Sequence, residues 1–326
     1  MKVLVTGAAG FIGRHLVELL RLRGRVGTQA VQALAVADQH LGDLPAGAVG
    51  LPGDLGSRPV RESVVGFAPD LVFHLAAVPG GAAEEDYALG RRVNLDATLA
   101  LFECLARRER PPVVVYASSI AVYASGERGP ITPLTPLRPP LTYGAHKLAC
   151  EVLLADFSRR GLLDGRSLRL PGIVARPRAH SGLASAFMSE LLHALANGER
   201  CRCPVSAQAT AWWMSAWCCA DNLLRGAALA VSGDDGARAW PLPVLRLSIA
   251  QVVDALAQRY GQDRQALVEY APQPALEAVF GRYPVLDDKA SRALGLSDDG
   301  SPQALIANAL TRTAPRGFVP QVSLLI

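Results

Sequence analysis

The chain opens with Met1-Lys-Val-Leu-Val-Thr-Gly7-Ala-Ala-Gly10-Phe-Ile-Gly13, an apolar segment followed at once by three evenly spaced glycines. Residues 2–6 predict a buried strand, and the apolar residues after Gly10 recur with helical spacing. Strand, glycine loop and helix in this order form the phosphate-binding turn of a dinucleotide-binding βαβ unit. Gly7 permits the tight turn, Gly10 lets the backbone approach a pyrophosphate, and Gly13 lets helix and strand pack closely. The spacing is G-x-x-G-x-x-G rather than G-x-G-x-x-G, so the prediction depends on this context rather than on the glycines alone.

Composition is that of a globular protein. The chain has 326 residues, of which 50% are hydrophobic and 19% charged, and its formal net charge is +4. These values exclude disordered, collagen-like and coiled-coil classes, and so mild a charge argues against a nucleic-acid partner. No apolar run approaches the roughly 18 residues of a membrane span, and the apolar start is too short for a signal peptide. We expect a cytoplasmic protein with no membrane association.

The cysteines are predicted to be reduced structural thiols. Their spacings, which include one C-x-C and one adjacent pair, match no usual zinc pattern, and a chain with this large a core needs no disulfides. We therefore predict no metal site. The cysteines are Cys104, Cys150, Cys201, Cys203, Cys218 and Cys219.

An acidic residue ends the second predicted strand, Leu34-Ala-Val-Ala-Asp38. A carboxylate there can accept both ribose hydroxyls of an adenosine and repels a 2′-phosphate. Asp38 lies 25 residues after Gly13, beyond the usual spacing of about 20, and we attribute the difference to an inserted loop at Gly27–Gln32. The alternative is an ordinary turn or cap aspartate. The sequence favours NAD over NADP as cofactor.

Two further segments are assigned to the cofactor site. Asp54-Leu55 follows a short apolar segment, and a strand beginning at Asp70 ends in Leu75-Ala76-Ala77. Small residues at the end of that strand would let a dinucleotide lie against the backbone. His74, within the same strand, is interpreted as a buried, hydrogen-bonded histidine rather than a catalytic one.

A second group of residues predicts catalysis. The β-branched run from Pro112 ends in Ser118 and Ser119, as expected of a central parallel strand that delivers hydroxyls to the carboxyl edge of the sheet. After a proline-rich loop, Thr142-Tyr143-Gly-Ala-His-Lys147 begins a helix. Tyr143 and Lys147 are four residues apart and therefore share a helical face.

That spacing has a chemical use. A phenol with a pKa near about 10 is a poor base at neutral pH. An ammonium one turn away and a positive nicotinamide ring would favour the phenolate. The serine hydroxyl could then hold the substrate oxygen while its proton moves to Tyr143 and a hydride leaves for the cofactor. A Y-x-x-x-K pair occurs by chance on many helices, but beside a Ser-ended strand and the glycine loop it is a specific signal.

The glycine loop, the Ser119–Tyr123 segment and Tyr143-Gly-Ala-His-Lys147 resemble the extended short-chain dehydrogenase/reductase superfamily, of the NAD-dependent epimerase/dehydratase type, over nearly the whole chain. The resemblance implies an α/β fold: a Rossmann-type doubly wound parallel sheet with a smaller, interleaved C-terminal substrate lobe. It also implies Ser119, rather than Ser118, as the catalytic serine beside Tyr143 and Lys147. Asn94 matches the superfamily's helix asparagine beneath the site. Its alternative is a helix-interior amide that stabilises a kink.

Residues 169–173 resemble the segment that packs on the nicotinamide ring, which adds Pro171 and Ile173 to the cofactor site. The predicted cofactor-binding residues are Gly7, Ala9, Gly10, Phe11, Ile12, Gly13, Asp38, Asp54, Leu55, Leu75, Ala76, Ala77, Tyr143, Lys147, Pro171 and Ile173. The predicted substrate-binding residues are Ser118, Ser119 and Arg176.

The residues beside Ser119 help to predict which of the superfamily's reactions this chain catalyses. Sugar-nucleotide dehydratases have an acidic pair where this chain has Ile120 and Ala121, so a dehydratase is disfavoured. The run from Tyr143 to Pro171 and Cys203-Pro-Val-Ser206 look like the D-erythronate dehydrogenase branch, which oxidises a four-carbon sugar acid beside its carboxylate. This chain departs from the branch at Ala209–Trp212, where a cation is missing. Arg176 remains a candidate carboxylate partner, with structural pairing as the alternative.

We therefore predict an NAD-dependent oxidoreductase that acts on a hydroxyl of a small, D-erythronate-like aldonate. The alternatives are a nucleotide-sugar 4-epimerase with tightly held NAD and a non-catalytic dinucleotide sensor. The expected organisation is an NAD-binding domain at 1–175, with later strands from about 210–250, and an interleaved lobe at 176–326. The resemblance implies a homodimer, and the small-molecule substrate is a sugar acid or a sugar nucleotide.

Overall fold

The larger part of the protein is a seven-stranded parallel sheet. A computed structural model describes residues 1–124, 129–178, 185–231 and 238–311, so parts of the predicted 176–326 lobe lie outside the described residues. The strands of the large sheet are β1 Lys2–Thr6, β4 Ala33–Asp38, β5 Ala48–Pro52, β6 Leu71–His74, β7 Val113–Ser119, β8 Asp164–Leu170 and β12 Ala239–Pro241. Their order is β5-β4-β1-β6-β7-β8-β12, and every pairing is parallel.

The remaining strands are short and lie outside this sheet. They are β2 Arg25–Val26, β3 Gln29–Ala30, β9 Gly172–Val174, β10 Cys201–Cys203, β11 Thr210–Ser215, β13 Leu245–Ser248 and β14 Val268–Tyr270.

Helices connect the strands in the alternation that parallel sheets require. They are α1 Phe11–Arg23, α2 Arg58–Phe67, α3 Gly80–Glu85, α4 Tyr87–Arg91, α5 Ala97–Leu105, α6 Thr142–Arg159, α7 Ala186–Asn197, α8 Ala216–Ala227, α9 Ile249–Tyr260, α10 Pro274–Phe280, α11 Lys289–Ala293 and α12 Pro302–Thr311. A π-helical stretch, Arg92–Asp96, joins α4 to α5, and two 3₁₀ segments occur at Ile120–Val122 and Gln262–Leu267.

Both faces of the large sheet are covered, which explains why its strands read as continuous apolar runs. Along β1, Val3 and Val5 pack with α1 and α8, whereas Leu4 packs with α5 and α6 on the other face. The strand order reverses between β1 and β6, and open α/β sheets bind ligands at such a point, beyond the carboxyl ends of the strands. Rossmann-type architecture is therefore observed as predicted, and β1, the glycine loop and β7 lie where the sequence indicated.

A smaller unit follows β8. Its sheet has the order β13-β11-β9, and α7, α9 and α12 cover it around the fully buried Trp213. The unit is interleaved with the larger one along the chain, since α8 packs on the large sheet and β12 adds its edge strand. Within the described residues no helix is long and apolar enough to cross a membrane.

The insertion before Asp38 is more ordered than predicted. Instead of an irregular loop, β2 and β3 form an antiparallel pair in which Arg25 faces Ala30 and Val26 faces Gln29. Gly27, at φ +56°, supplies the left-handed conformation that the tight turn between them requires. The hairpin accounts for the extra residues between Gly13 and Asp38 without changing where β4 ends.

Candidate active site

The glycine loop has no space for side chains. Gly7 is at φ +68°, and a Cβ added there would lie 2.6 Å from the Ala76 amide nitrogen. A Cβ on Gly13 would lie 2.1 Å from the Gly7 carbonyl oxygen. No side chain caps α1, so its first N–H groups and the positive end of the helix dipole face the cavity beyond the strands. This cradle fits the pyrophosphate of a dinucleotide.

Asp38 connects the second strand to that loop. Its Oδ2 accepts a hydrogen bond from the Ala9 N–H at 2.9 Å, and its Oδ1 accepts one from the Gln39 N–H at 2.8 Å. Burial raises the pKa of Asp38, while these two N–H groups and nearby Arg14 oppose the rise. Asp38 thus ends β4 beside the glycine loop, where the sequence predicted a partner for the ribose hydroxyls. It does not line the cavity described next, and its contact with the ribose stays a prediction.

A cavity of about 630 Å³ begins at the glycine loop. The predicted cofactor residues that line it are Gly7, Gly10, Phe11, Ile12, Gly13, Leu75, Ala77, Tyr143, Lys147, Pro171 and Ile173. Asp54 and Leu55 do not line it: the Asp54 carboxylate accepts from the Gly56 N–H at 2.7 Å, and Leu55 packs into the core beneath the sheet. Ala9 lies in the glycine loop, and its N–H donates to Asp38. The backbone of Ala76 lies directly against Gly7.

The predicted serine and tyrosine meet because α6 packs tightly on the turn that follows β7. A Cβ on Gly144 would lie 2.2 Å from the Ala121 carbonyl oxygen, so only glycine permits this approach. Ala121 donates its N–H to the Ser119 hydroxyl oxygen at 3.1 Å, and this leaves the hydroxyl hydrogen for another acceptor. Burial raises the pKa of Tyr143, whereas Arg176 and a hydrogen bond with Ser119 lower it.

A second cation lies near Tyr143 besides the predicted one. Lys147 Nζ, to which the sequence assigned the stabilisation of the phenolate, lies 5.6 Å from the centre of the Tyr143 ring and donates to the Ala117 carbonyl at 2.7 Å. Arg176 opposes the rise that burial causes in the pKa of the phenol. Sequence spacing indicated Lys147 for this effect and gave no sign that Arg176, from beyond β9, would contribute to it.

Arg176 is a partly buried cation that lines the cavity. Burial lowers its pKa, and its guanidinium carbon lies 5.8 Å from the centre of the Phe11 ring. Among the residues that the structure describes, no carboxylate forms an ion pair with it. Its backbone is fixed by Ser189, which accepts from its N–H at 2.9 Å, and by His193, whose ring bonds its carbonyl at 2.7 Å.

Lys147 is held by neutral groups. Its side chain is 2% exposed, and Nζ lies 4.7 Å from the centre of the Tyr116 ring, which is a cation–π distance. Burial lowers the pKa of Lys147 to about 8. The Tyr116 ring is fixed in turn by His74, which stacks on it at 5.7 Å.

Ser118 belongs to a different polar group from Ser119. Adjacent strand residues point to opposite faces, and the Ser118 hydroxyl, 2% exposed, donates to the Glu151 carboxylate. Glu151 also forms a bidentate ion pair with Arg169, whose Nη2 lies 2.7 Å from Oε2. Arg169 Nη1 donates to the Tyr123 hydroxyl at 3.0 Å. Ser118 also lines the cavity, but its hydroxyl hydrogen is donated to Glu151, so its role in substrate binding stays a prediction.

Asn94 lies in the π-helical stretch and is 1% exposed. Its Oδ1 accepts from the Val78 N–H at 2.7 Å, and its Nδ2 donates to the Val78 carbonyl at 3.1 Å. The side chain thus joins the irregular helix to the segment after β6 and does not line the cavity. This fits the structural alternative for Asn94, and its role in catalysis stays a prediction.

His74 is the buried structural histidine that the sequence indicated. Its Nδ1 bonds the Thr6 hydroxyl at 2.7 Å, and its Nε2 bonds the Thr98 hydroxyl at 2.9 Å. Burial lowers the pKa of His74 to about 3, so the ring is neutral at physiological pH.

Several cavity residues were not predicted. Glu84, on α3, accepts from the Thr142 N–H and so caps the helix that carries Tyr143. Other unpredicted lining residues are Met188, Trp212, Phe280, Arg282 and Tyr283. No local motif marks them, since they converge from α7, β11 and the end of α10.

Comparison with known proteins identifies the family of this chain. The model of the NAD dependent epimerase/dehydratase family matches residues 3–237. The D-erythronate dehydrogenase of Cupriavidus necator is 36% identical over 92% of this chain and 95% of its own length. That of Haemophilus influenzae is 29% identical over 94% of this chain and 98% of its own.

Among solved structures, the nucleoside-diphosphate-sugar epimerase from Agrobacterium tumefaciens superposes with a TM-score of 0.87 at 32% identity, over 94% of this chain and 92% of that one. The relatives thus carry dehydrogenase and epimerase names on one fold. Since the family model covers more than half of the sequence, the chain belongs to the NAD dependent epimerase/dehydratase family, whose cofactor is the one the sequence predicted.

Proposed function

We propose that the protein is an NAD-dependent dehydrogenase that oxidises the hydroxyl beside the carboxylate of a small, D-erythronate-like hydroxy acid. The observation that carries this proposal is Arg176, a partly buried guanidinium that lines the cavity, interacts electrostatically with Tyr143 and forms no ion pair among the described residues. A cation that is drawn partly out of water without a counter-charge is unfavourable unless a ligand supplies one. A carboxylate matches its planar fork.

In the proposed mechanism Arg176 binds the carboxylate, and Ser119 holds the neighbouring hydroxyl oxygen close to Tyr143. The phenolate of Tyr143 takes the hydroxyl proton as the carbon loses its hydride, which converts the alcohol to a ketone. NAD supplies the hydride acceptor. Lys147 keeps a positive charge beneath the tyrosine and would hold the cofactor's ribose.

A nucleotide-sugar 4-epimerase is the second candidate, because a relative of that name shares 32% identity and superposes over nearly its whole length. The absence of a carboxylate at Ile120 and Ala121 gives no support to a dehydratase. An epimerase returns the hydride to its own product, so it produces no net NADH.

NADH formation separates the two candidates. The purified enzyme with NAD and D-erythronate is expected to show a steady rise in absorbance at 340 nm. Arg176→Met should lose most of this rate, whereas Arg178→Met, which removes an exposed arginine paired with Glu190 and Glu199, should retain it. Conversion of a nucleotide sugar without NADH formation from any hydroxy acid would instead identify an epimerase.

We also infer a homodimer formed through α5 and α6. Val152 supports this, because it is 63% exposed on α6 although it is apolar. Light scattering at micromolar concentration should give twice the 34.5 kDa chain mass, and Val152→Glu should shift the mass toward that of one chain.

A further inference from the structure

One wall of the cavity is apolar. Ile120, Ile131, Met188, Trp212, Phe280 and Tyr283 line it, and they come from outside the strand–loop–helix unit that forms the cofactor cradle. The wall begins beside the segment predicted to pack on the nicotinamide. A Cβ on Gly172 would lie 2.7 Å from the Trp212 carbonyl oxygen and 3.0 Å from the Met188 methyl carbon.

The polar atoms in this wall are mostly occupied. The Trp212 indole N–H donates to the Pro284 carbonyl at 2.8 Å, so the ring offers the cavity only carbon atoms. The Tyr283 N–H donates to the Thr210 carbonyl, and the Tyr283 carbonyl accepts from Arg246. Burial raises the pKa of Tyr283 to about 12, so its phenol stays neutral. The rings of Trp212 and Phe280 lie 5.2 Å and 6.2 Å from that of Tyr283, which makes the wall a packed aromatic surface.

A chain of hydroxyl groups would bind poorly against this surface. Each hydroxyl taken from water needs a replacement hydrogen bond, and one left without a partner weakens binding. Methyl and methylene groups gain free energy by leaving water for an apolar surface. Of the polar residues that line the cavity, Arg176, Ser119 and Tyr143 are used at the reacting end of the proposed substrate. Glu84, Ser118 and Lys147 are held by hydrogen bonds within the fold. Arg282, also a lining residue, is exposed.

We propose that this wall is a subsite for an alkyl group, so that the preferred substrates are hydroxy acids whose end remote from the carboxylate is apolar. This inference rests on the proposed function, because it takes the carboxylate to be bound by Arg176. On this proposal the enzyme oxidises D-erythronate, a trihydroxy acid, less efficiently than an acid with an apolar end.

A series of acids with the configuration of D-erythronate tests the subsite. The compounds are D-erythronate itself, its 4-deoxy analogue 2,3-dihydroxybutanoate, and the five- and six-carbon 2,3-dihydroxy acids. We expect kcat/KM for NADH formation to be higher for the 4-deoxy analogue than for D-erythronate. It should then rise about fourfold for each added methylene that is buried. A kcat/KM highest for D-erythronate overturns the subsite but leaves the dehydrogenase, whereas no NADH from any acid of the series overturns the proposed function itself.

A matched pair of valine variants locates the effect. Val279 precedes the wall residue Phe280 on α10, lines the same cavity and is 44% exposed. Val65 is 42% exposed on α2 and does not line the cavity. Val279→Thr adds a hydroxyl at nearly constant shape, so the ratio of kcat/KM between the six-carbon acid and D-erythronate should fall severalfold, and Val65→Thr should leave it unchanged. An unchanged ratio in Val279→Thr would overturn the assignment of the preference to this wall.

Discussion

Arg169 and Arg176 are seven residues apart, yet they occupy opposite kinds of environment. Arg169 forms a bidentate ion pair with Glu151 and donates to Tyr123. These contacts raise the pKa of Arg169 despite its burial. Arg176 lines the cavity, its pKa is lowered by burial, and it pairs with no carboxylate in the described ranges. The first arginine has its counter-charge within the fold, and the second lacks one. The difference teaches that the functional charge of this protein is the one the fold leaves unsatisfied.

The same contrast holds for two adjacent serines and for two residues one turn apart on α6. Ser118 and Glu151 belong to the paired cluster with Arg169, whereas Ser119 and Lys147 belong to the reacting group with Tyr143. The paired cluster is therefore expected to support the fold, and the reacting group is expected to support chemistry at the expense of stability. The following substitutions test that division.

The largest effect is expected at Tyr143. Tyr143→Phe removes the hydroxyl that accepts the substrate proton, and loss of general-base catalysis typically lowers kcat by about 10²–10⁴. The rate of NADH formation should fall by about a thousandfold, while the dissociation constant for NADH, measured by fluorescence titration, changes little. A variant with more than a tenth of the parent kcat would remove Tyr143 from the proposed mechanism.

Arg169→Met should affect stability more than any single change at the reacting group. Removing one partner of a buried ion pair leaves the other charge without compensation, at a cost of about 3–5 kcal/mol. Urea unfolding at pH 7 should show this loss, and Glu151→Leu combined with Arg169→Met should recover part of it. Arg176→Met is the matched control and should not lower the free energy of unfolding. Equal losses in both arginine variants would contradict the division.

Lys147→Met should stabilise the protein while abolishing its activity. Burial lowers the lysine pKa from 10.5 to about 8, so the folded chain binds fewer protons than the unfolded chain between those values. The unfavourable buried charge is fully present below pH 8 and is relieved as the pH rises toward 10.5. At about 1.4 kcal/mol per pKa unit, the variant should gain up to about 3 kcal/mol at pH 7, and the gain should vanish near pH 10.5. Urea midpoints across this range measure it, and a less stable variant at pH 7 would refute the account of Lys147.

The smallest effect is expected at Tyr116, whose ring face lies against Lys147. A cation–π contact of this kind contributes about 0.5–2 kcal/mol. Tyr116→Leu should lower kcat/KM by about three- to tenfold and move the alkaline decline of activity to lower pH, because the ammonium loses a stabilising neighbour. Tyr116→Phe keeps the ring and should keep the parent profile. If Phe and Leu behave alike, the ring face does not stabilise the ammonium.

Local sequence patterns were sufficient for the main elements of the cofactor half of the protein, although not for Asp54 and Leu55, which do not line the cavity. The positions of β1, the glycine loop, Asp38 and β7 follow from apolar runs, glycine spacing and chain order, all of which act over a few residues. The buried, neutral His74 was likewise predicted correctly from its place within an apolar strand.

The substrate half was not predictable in the same way, because its contacts join distant residues. Trp212 meets Pro284 across 72 positions, and Ser118 meets Glu151 across 33. Sequence order could not show that the Ser118 hydroxyl donates to Glu151 on α6. Nor could it show that Arg176 opposes the rise that burial causes in the pKa of the Tyr143 phenol. These outcomes depend on which side chains the packed elements place within a few ångströms of one another.

The most direct test of the central claim, that Arg176 binds a substrate carboxylate, compares an acid with its neutral amide. The quantity measured is the ratio of kcat/KM for NADH formation between D-erythronate and D-erythronamide, in the parent enzyme and in Arg176→Met. Charge-assisted hydrogen bonds contribute about 1.5–3 kcal/mol, so the parent should favour the acid by about 10- to 100-fold and the variant should show a ratio near one. The same large preference for the acid in Arg176→Met would contradict the account.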